Sequence, residues 1–153
     1  MSDVINPHDS FFRETFGRKE IAAGFLREYL PRGLLRKIDL ESLHAVKDSF
    51  VEKELRQHFS DLLYTVRYQE GVLYLYLLFE HKSYPDRLIH LQLLEYMTKI
   101  WRLYLKQRAD TKQKGTPVRL PIILPVVLYH GTTAWPYSIR FADMLSGPTE
   151  AFA

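Results

Sequence analysis

The sequence predicts an α/β fold with a mixed central β-sheet flanked by helices, and three observations carry that expectation. Residues 6–30 and 87–109 place apolar side chains at helical spacing. Between them, residues 61–80 read as two strands joined by a short turn. After the long helix, residues 120–129 form an apolar run of strand length. Helix, strand, hairpin strand, helix and strand in that order place helices on the faces of a sheet.

Taken in order, the first helical region starts at Asn6-Pro7, where proline suits the first turn. Phe11, Phe12 and Phe16 form an apolar patch, and Gly17 is expected to interrupt the helix. Ile21, Phe25, Leu26, Tyr29 and Leu30 then recur at helical spacing until Pro31 and Gly33 end the second segment. Residues 38–43 alternate in part, as a short strand or an extended connection would. Residues 49–59 are charged and are expected to begin an edge strand. From 61 to 68 the sequence Asp-Leu-Leu-Tyr-Thr-Val-Arg-Tyr reads as a strand. Gln69-Glu70-Gly71 turns the chain, and Leu73 to Phe79 is an apolar return strand closing the hairpin. Pro85 breaks the strand and Asp86 caps the helix that follows. In that helix Ile89, Leu93, Tyr96, Ile100 and Leu103 form the core stripe, widened by Leu94, Met97, Trp101 and Tyr104. Residues 110–118 are polar, lysine-rich and carry Gly and Pro, as a loop does. In the last strand Val126 to Tyr129 is the firm part, because Pro121 and Pro125 are awkward in a central strand. Trp135, Pro136 and Tyr137 precede a weakly amphipathic end.

At 153 residues and 46% hydrophobic content, the chain suffices for one domain, expected to span 1–153, with a proper core. It has no cysteine, which excludes disulfides and thiolate metal sites and fits a reducing compartment. The first residues have neither the basic start nor the apolar core of a signal peptide, and no apolar run approaches the roughly 20 residues of a membrane span. The expected location is the cytoplasm, away from membrane. Net charge is only +3, yet Lys99, Arg102, Lys106, Arg108, Lys112, Lys114 and Arg119 face Asp110 alone within 99–119. That surplus suits a polyanion such as DNA, and equally suits a solvated helix end and loop.

The chemistry gathers at Leu73 to Ser83, where an apolar strand runs into Glu80, His81 and Lys82. Strand alternation puts Glu80 and Lys82 on one face. A carboxylate and an ammonium at the end of a buried strand are costly to place, and the cost points to a site. The hairpin sets Asp61, at the start of one strand, near Glu80, at the end of the other. Two carboxylates suit a hard cation, Mg²⁺ or alternatively Mn²⁺, which needs oxygen ligands and keeps several waters; the main-chain carbonyl of His81 would add a further oxygen. Such a cation would polarise a phosphodiester and activate water, with Lys82 orienting that water or stabilising developing charge.

Asp61, then Glu80-x-Lys82 after an apolar strand, resembles the PD-(D/E)xK nuclease signature, with Ser60 where the named proline would stand. Gln92-x-x-x-Tyr96 resembles the QxxxY element of RecB-like members. His8-Asp9-x-x-Phe12 with Phe16, Phe25-Leu26-x-x-Tyr29-Leu30-Pro31 and Phe79-Glu80-His81-Lys82-Ser83 are more specifically similar to the recombination-promoting nuclease (Rpn), or YhgA-like transposase-related, family, over nearly the whole chain. The resemblance implies a restriction-endonuclease-like core and metal-dependent DNA endonuclease activity linked to RecA-independent recombination in bacteria. It also implies further sequence after this domain. Asp61, Glu80 and Lys82, with Gln92, become the catalytic set, and Asp9 and Tyr96 additional candidates.

Each candidate has a plainer role. Asp61 would start a strand, Glu80 and Lys82 would pair at the surface, Asp9 would cap its helix, and Tyr96 would pack in the core. Gln92 would be a buried polar group satisfied by backbone. His81 reads as structural, and His44, His58 and His90 show no ligand spacing. Beside the endonuclease stand two other functions: a DNA-binding or assembly module with the same fold but no turnover, and a metal-dependent hydrolase of RNA or a smaller phosphoester. A double-strand cut would require two sites, hence the expectation of a homodimer.

Overall fold

The computed structural model describes residues 7–46, 62–69, 71–80, 85–110 and 117–147. Two helices open it, α1 (Pro7–Phe16) and α2 (Lys19–Tyr29), followed by a single turn of helix, α3 (Arg32–Leu35). Pro7 stands first in α1, where a missing N–H costs nothing. Gly17 breaks the pair as its sequence predicts: its N–H bonds Arg13 O at 2.8 Å, and a β-carbon there would run into that same carbonyl.

Among the described residues four strands follow, β1 (Ile38–Ala45), β2 (Leu62–Tyr68), β3 (Gly71–Glu80) and, after helix α4 (Ile89–Asp110), β4 (Ile122–Tyr129). They lie side by side in the order β1-β2-β3-β4. The first three are antiparallel, and α4 carries the chain across so that β4 runs parallel to β3, making the sheet mixed. The β2–β3 register runs from Tyr68↔Gly71 to Leu62↔Leu77, and Gln69 enters the turn at φ 50°.

Alternation along β2 divides the core. Tyr64 and Val66 face α1 and α2, where they pack with Phe12, Ala22, Leu26, Leu43 and Leu75. Leu63 faces α4, where it meets Ile89, Leu93, Tyr96, Ile100 and Ile123. Each such aliphatic side chain removed from water contributes about 1.5–3 kcal/mol. The hydroxyl of Tyr64 donates to Phe16 O, fastening the end of α1 to the centre of the sheet.

The structure departs from the sequence reading in several places. β4 begins at Ile122, four residues before its predicted firm part, and runs through Pro125. It is an edge strand of the described sheet, so β3 needs only some of its N–H groups, and a proline is tolerated. Leu94, expected in the core, is 37% exposed on the outer side of α4. Asp9 falls inside the first turn of α1 and so is not the cap of that helix. The helix after Pro85 starts at Ile89, two residues late, so Asp86 is not its N-cap; its Oδ1 accepts from Leu88 N–H at 2.8 Å in the turn that precedes the helix. The edge strand expected to begin within residues 49–59 lies outside the described residues.

Candidate functional site

β3 outruns β2. Leu62 is opposite Leu77, so the last three residues of β3 continue past the first described residue of β2. On the other side Glu80 is in register with Tyr129, the last residue of β4. Glu80 thus stands where two parallel strands end together, and the helix joining them begins nearby at Ile89. Crevices beyond the carboxyl ends of parallel strands are where α/β sheets commonly hold ligands. The backbone of Glu80 is described; Asp61, His81 and Lys82 lie outside the described residues, as do Lys112 and Lys114. Among the described residues no group of three or more His, Asp or Glu is placed to hold a metal ion. The donor types at Asp61 and Glu80 are hard carboxylate oxygens, which fit Mg²⁺ or Mn²⁺ and would be a poor set for a thiophilic metal.

α4 presents the other candidates. Gln92 is half-buried in its first turn, with its N–H bonded to Leu88 O at 3.1 Å. Tyr96, one turn on, is 5% exposed and belongs to the core against Leu63 and Ile123, so its packing role is the one the structure displays. Lys99 lies 5.0 Å from the Tyr96 ring centroid and 4.0 Å from Glu95. Arg102 and Lys106 are exposed and Arg108 is half-buried. Trp101 donates from Nε1 to Pro121 O at 2.8 Å, which ties the far half of α4 to the start of β4.

Two features near the strand ends carry no signal in sequence spacing. Tyr129, Trp135 and Tyr137 form an edge-to-face chain, with ring centroids 5.2 and 5.8 Å apart. Tyr137 also donates to Pro85 O at 3.3 Å, so the segment after β4 is fastened to the segment after β3. A β-carbon at Gly131 would collide with the hydroxyl end of the Tyr129 ring, so a larger residue there would require that ring to shift. The second feature is His90, whose Nδ1 is buried without a hydrogen-bond partner among the described residues. A clustering of Trp and Tyr after a strand is visible in sequence, but which rings meet depends on the loop.

Comparison with known proteins adds the family. Residues 6–153 match the family model described as "Putative transposase, YhgA-like". The chain is 31% identical over 99% of its length to the inactive recombination-promoting nuclease-like protein RpnE of Escherichia coli K12, covering 50% of that protein. It is 32% identical over 93% of its length to recombination-promoting nuclease RpnC of the same strain, covering 45% of it. It is 33% identical over 95% of its length to recombination-promoting nuclease RpnD of Escherichia coli O157:H7, covering 54% of it. The chain thus spans about half the length of these relatives. No solved structure matches.

Proposed function

The chain belongs to the YhgA-like transposase family, and from that premise we propose that it is a metal-dependent DNA endonuclease domain acting in recombination or transposition. The supporting observation is Glu80 at the joint carboxyl ends of β3 and β4, with Lys82 two residues on. The order of strands, three antiparallel and a fourth returned parallel by α4, is that expected of a restriction-endonuclease-like core, proposed here to fill 1–153 as one domain. Relatives named as recombination-promoting nucleases support the same reading.

Asp61 and Glu80, with the His81 carbonyl, would hold Mg²⁺ or Mn²⁺. A cation held there would polarise a phosphodiester and lower the pKa of a bound water. Lys82, two residues after Glu80, would orient that water or offset charge developing on the phosphate. Gln92, half-buried at the start of α4, would position the substrate or a site carboxylate. Lys106 and Arg108, with Lys112 and Lys114 beyond them, would meet the DNA backbone. Phosphate binding by these groups weakens as salt rises, because each contact releases counterions. No described helix is long and apolar enough to cross a membrane, and a cytoplasmic location fits a DNA substrate.

A plasmid-cleavage assay with Mg²⁺, Mn²⁺, Ca²⁺ or EDTA tests the reading. Cleavage is expected with Mg²⁺ or Mn²⁺ and lost with EDTA. Glu80→Ala and Lys82→Ala are expected to lower the rate roughly a hundredfold to a thousandfold. Cleavage that survives both substitutions would overturn the site. The relative named inactive favours a second reading, a domain that binds DNA without turnover. That reading predicts salt-sensitive DNA binding by the unaltered chain with no cleavage under any metal, and RNA in place of plasmid separates the remaining hydrolase.

A further inference from the structure

The face of α4 turned away from the core is chemically organised. Leu88, Leu91, Glu95, Thr98, Arg102 and Leu105 recur at alternating steps of three and four, the spacing of a helix–helix seam. All six are exposed, opposite the buried Ile89, Leu93, Tyr96 and Ile100. Leu91 is 52% exposed and Leu105 37%. Single exposed leucines are ordinary, but leucines bracketing an opposite-charge pair on one stripe are not scattered. Thr98 sits at the middle of the stripe, and its hydroxyl is used within the helix, bonded to Leu94 O at 2.9 Å. Its outward chemistry is therefore that of a methyl group.

From Leu91 to Leu105 the stripe reads nearly the same with its charges exchanged when reversed about Thr98, while Leu88 lies beyond the symmetric part. Leu91 and Leu105 lie at equal distances on either side, and Glu95 and Arg102 lie on either side to within one residue. At about 1.5 Å per residue, both pairs can be matched by one symmetry axis. We propose that this face binds a second copy of the chain, forming a two-fold dimer in which the α4 helices cross antiparallel at Thr98. Leu91 then meets Leu105 of the partner, and Glu95 meets the partner's Arg102, twice over, as an isologous interface requires. Parallel pairing would set Glu95 on Glu95 and Arg102 on Arg102, so charge selects the antiparallel arrangement. Arg102 is thereby assigned to the interface and not to DNA. Two candidate sites would be carried on one particle, although the dimer does not depend on the nuclease reading.

The test is the molar mass of the 153-residue chain by sedimentation equilibrium, in EDTA and without DNA, so a failure here leaves the nuclease reading untouched. The chain is examined at roughly 100 μM, where an interface of micromolar affinity is populated. A dimer is expected. Glu95→Arg alone and Arg102→Glu alone are each expected to weaken dimerisation at least tenfold, and the double exchange to restore it. Thermal melts monitor folding, which these exposed positions should leave nearly unchanged. A monomeric unaltered chain at that concentration would overturn the proposal. So would a dimer indifferent to the single exchanges, or one broken by them and not recovered in the double variant.

Discussion

Tyr64 is the largest fully buried side chain among the described residues. It is wholly buried, yet its hydroxyl has a partner in Phe16 O, and burial, aided by the negative charge of Glu20, pushes its pKa up to about 12. The folded state holds this proton more tightly than the unfolded chain does, where tyrosine titrates near 10. The associated stability is therefore fully present below pH 10 and is lost as pH rises from about 10 to about 12. Urea denaturation across that range should show a loss of about 2–3 kcal/mol from this group. Tyr64→Phe should cost about 1–3 kcal/mol at neutral pH, because Phe16 O is left without its donor. It should also flatten the alkaline slope. An unchanged slope in that variant would assign the alkaline loss to other groups. At the opposite end of β1, Asp39 has its pKa lowered chiefly by its 2.6 Å hydrogen bond to Arg67, but both groups are solvent-exposed and the pair adds little.

Among the elements, the β2–β3 hairpin carries a local conflict. Gln69 takes φ 50°, a left-handed conformation that costs a side-chain-bearing residue roughly 1 kcal/mol. Gln69→Gly should raise stability by about 0.5–1 kcal/mol, read as a higher urea midpoint at constant slope; a lowered midpoint would mean that the glutamine side chain makes a compensating contact. The hairpin was legible from alternation and turn residues, and both opening helices and α4 from apolar spacing. β1 was only half legible, for a visible reason. Its buried residues are Ile38, Leu40 and Leu43, so the period of two slips to three. The slip is a bulge in which β1 advances from Asp39 to His44 while β2 advances only from Arg67 to Thr65. Asp39 and Ser42 organise it: Asp39 Oδ1 accepts from Glu41 N–H, and Ser42 Oγ accepts from Arg67 N–H at 2.8 Å. Pro125 misled in the opposite direction, because a sequence does not reveal which apolar strand will lie at the edge.

For the molecule as a whole, the candidate site depends on long-range geometry that spacing can only suggest. Glu80-x-Lys82 is readable in sequence after an apolar run, but the pairing of Glu80 with Tyr129 follows from the parallel return through α4, and the Tyr129–Trp135–Tyr137 chain from a loop beyond it. If the hairpin and crossover bring Asp61 and Glu80 to one cation, the folded chain holds two like charges together whenever the cation is removed. That repulsion opposes folding and is relieved by binding, since a ligand of the folded state stabilises it. Glu80→Gln should therefore melt higher than the unaltered chain in EDTA, by about 2–4 °C for roughly 1 kcal/mol in a chain of this size. It should also lose most of the rise in melting temperature that Mg²⁺ gives the unaltered chain, a readout independent of cleavage. If Glu80→Gln instead melts lower in EDTA and keeps its full response to Mg²⁺, Glu80 is a structural partner of a nearby cation such as Lys82, and the carboxylate pair is not where the metal binds.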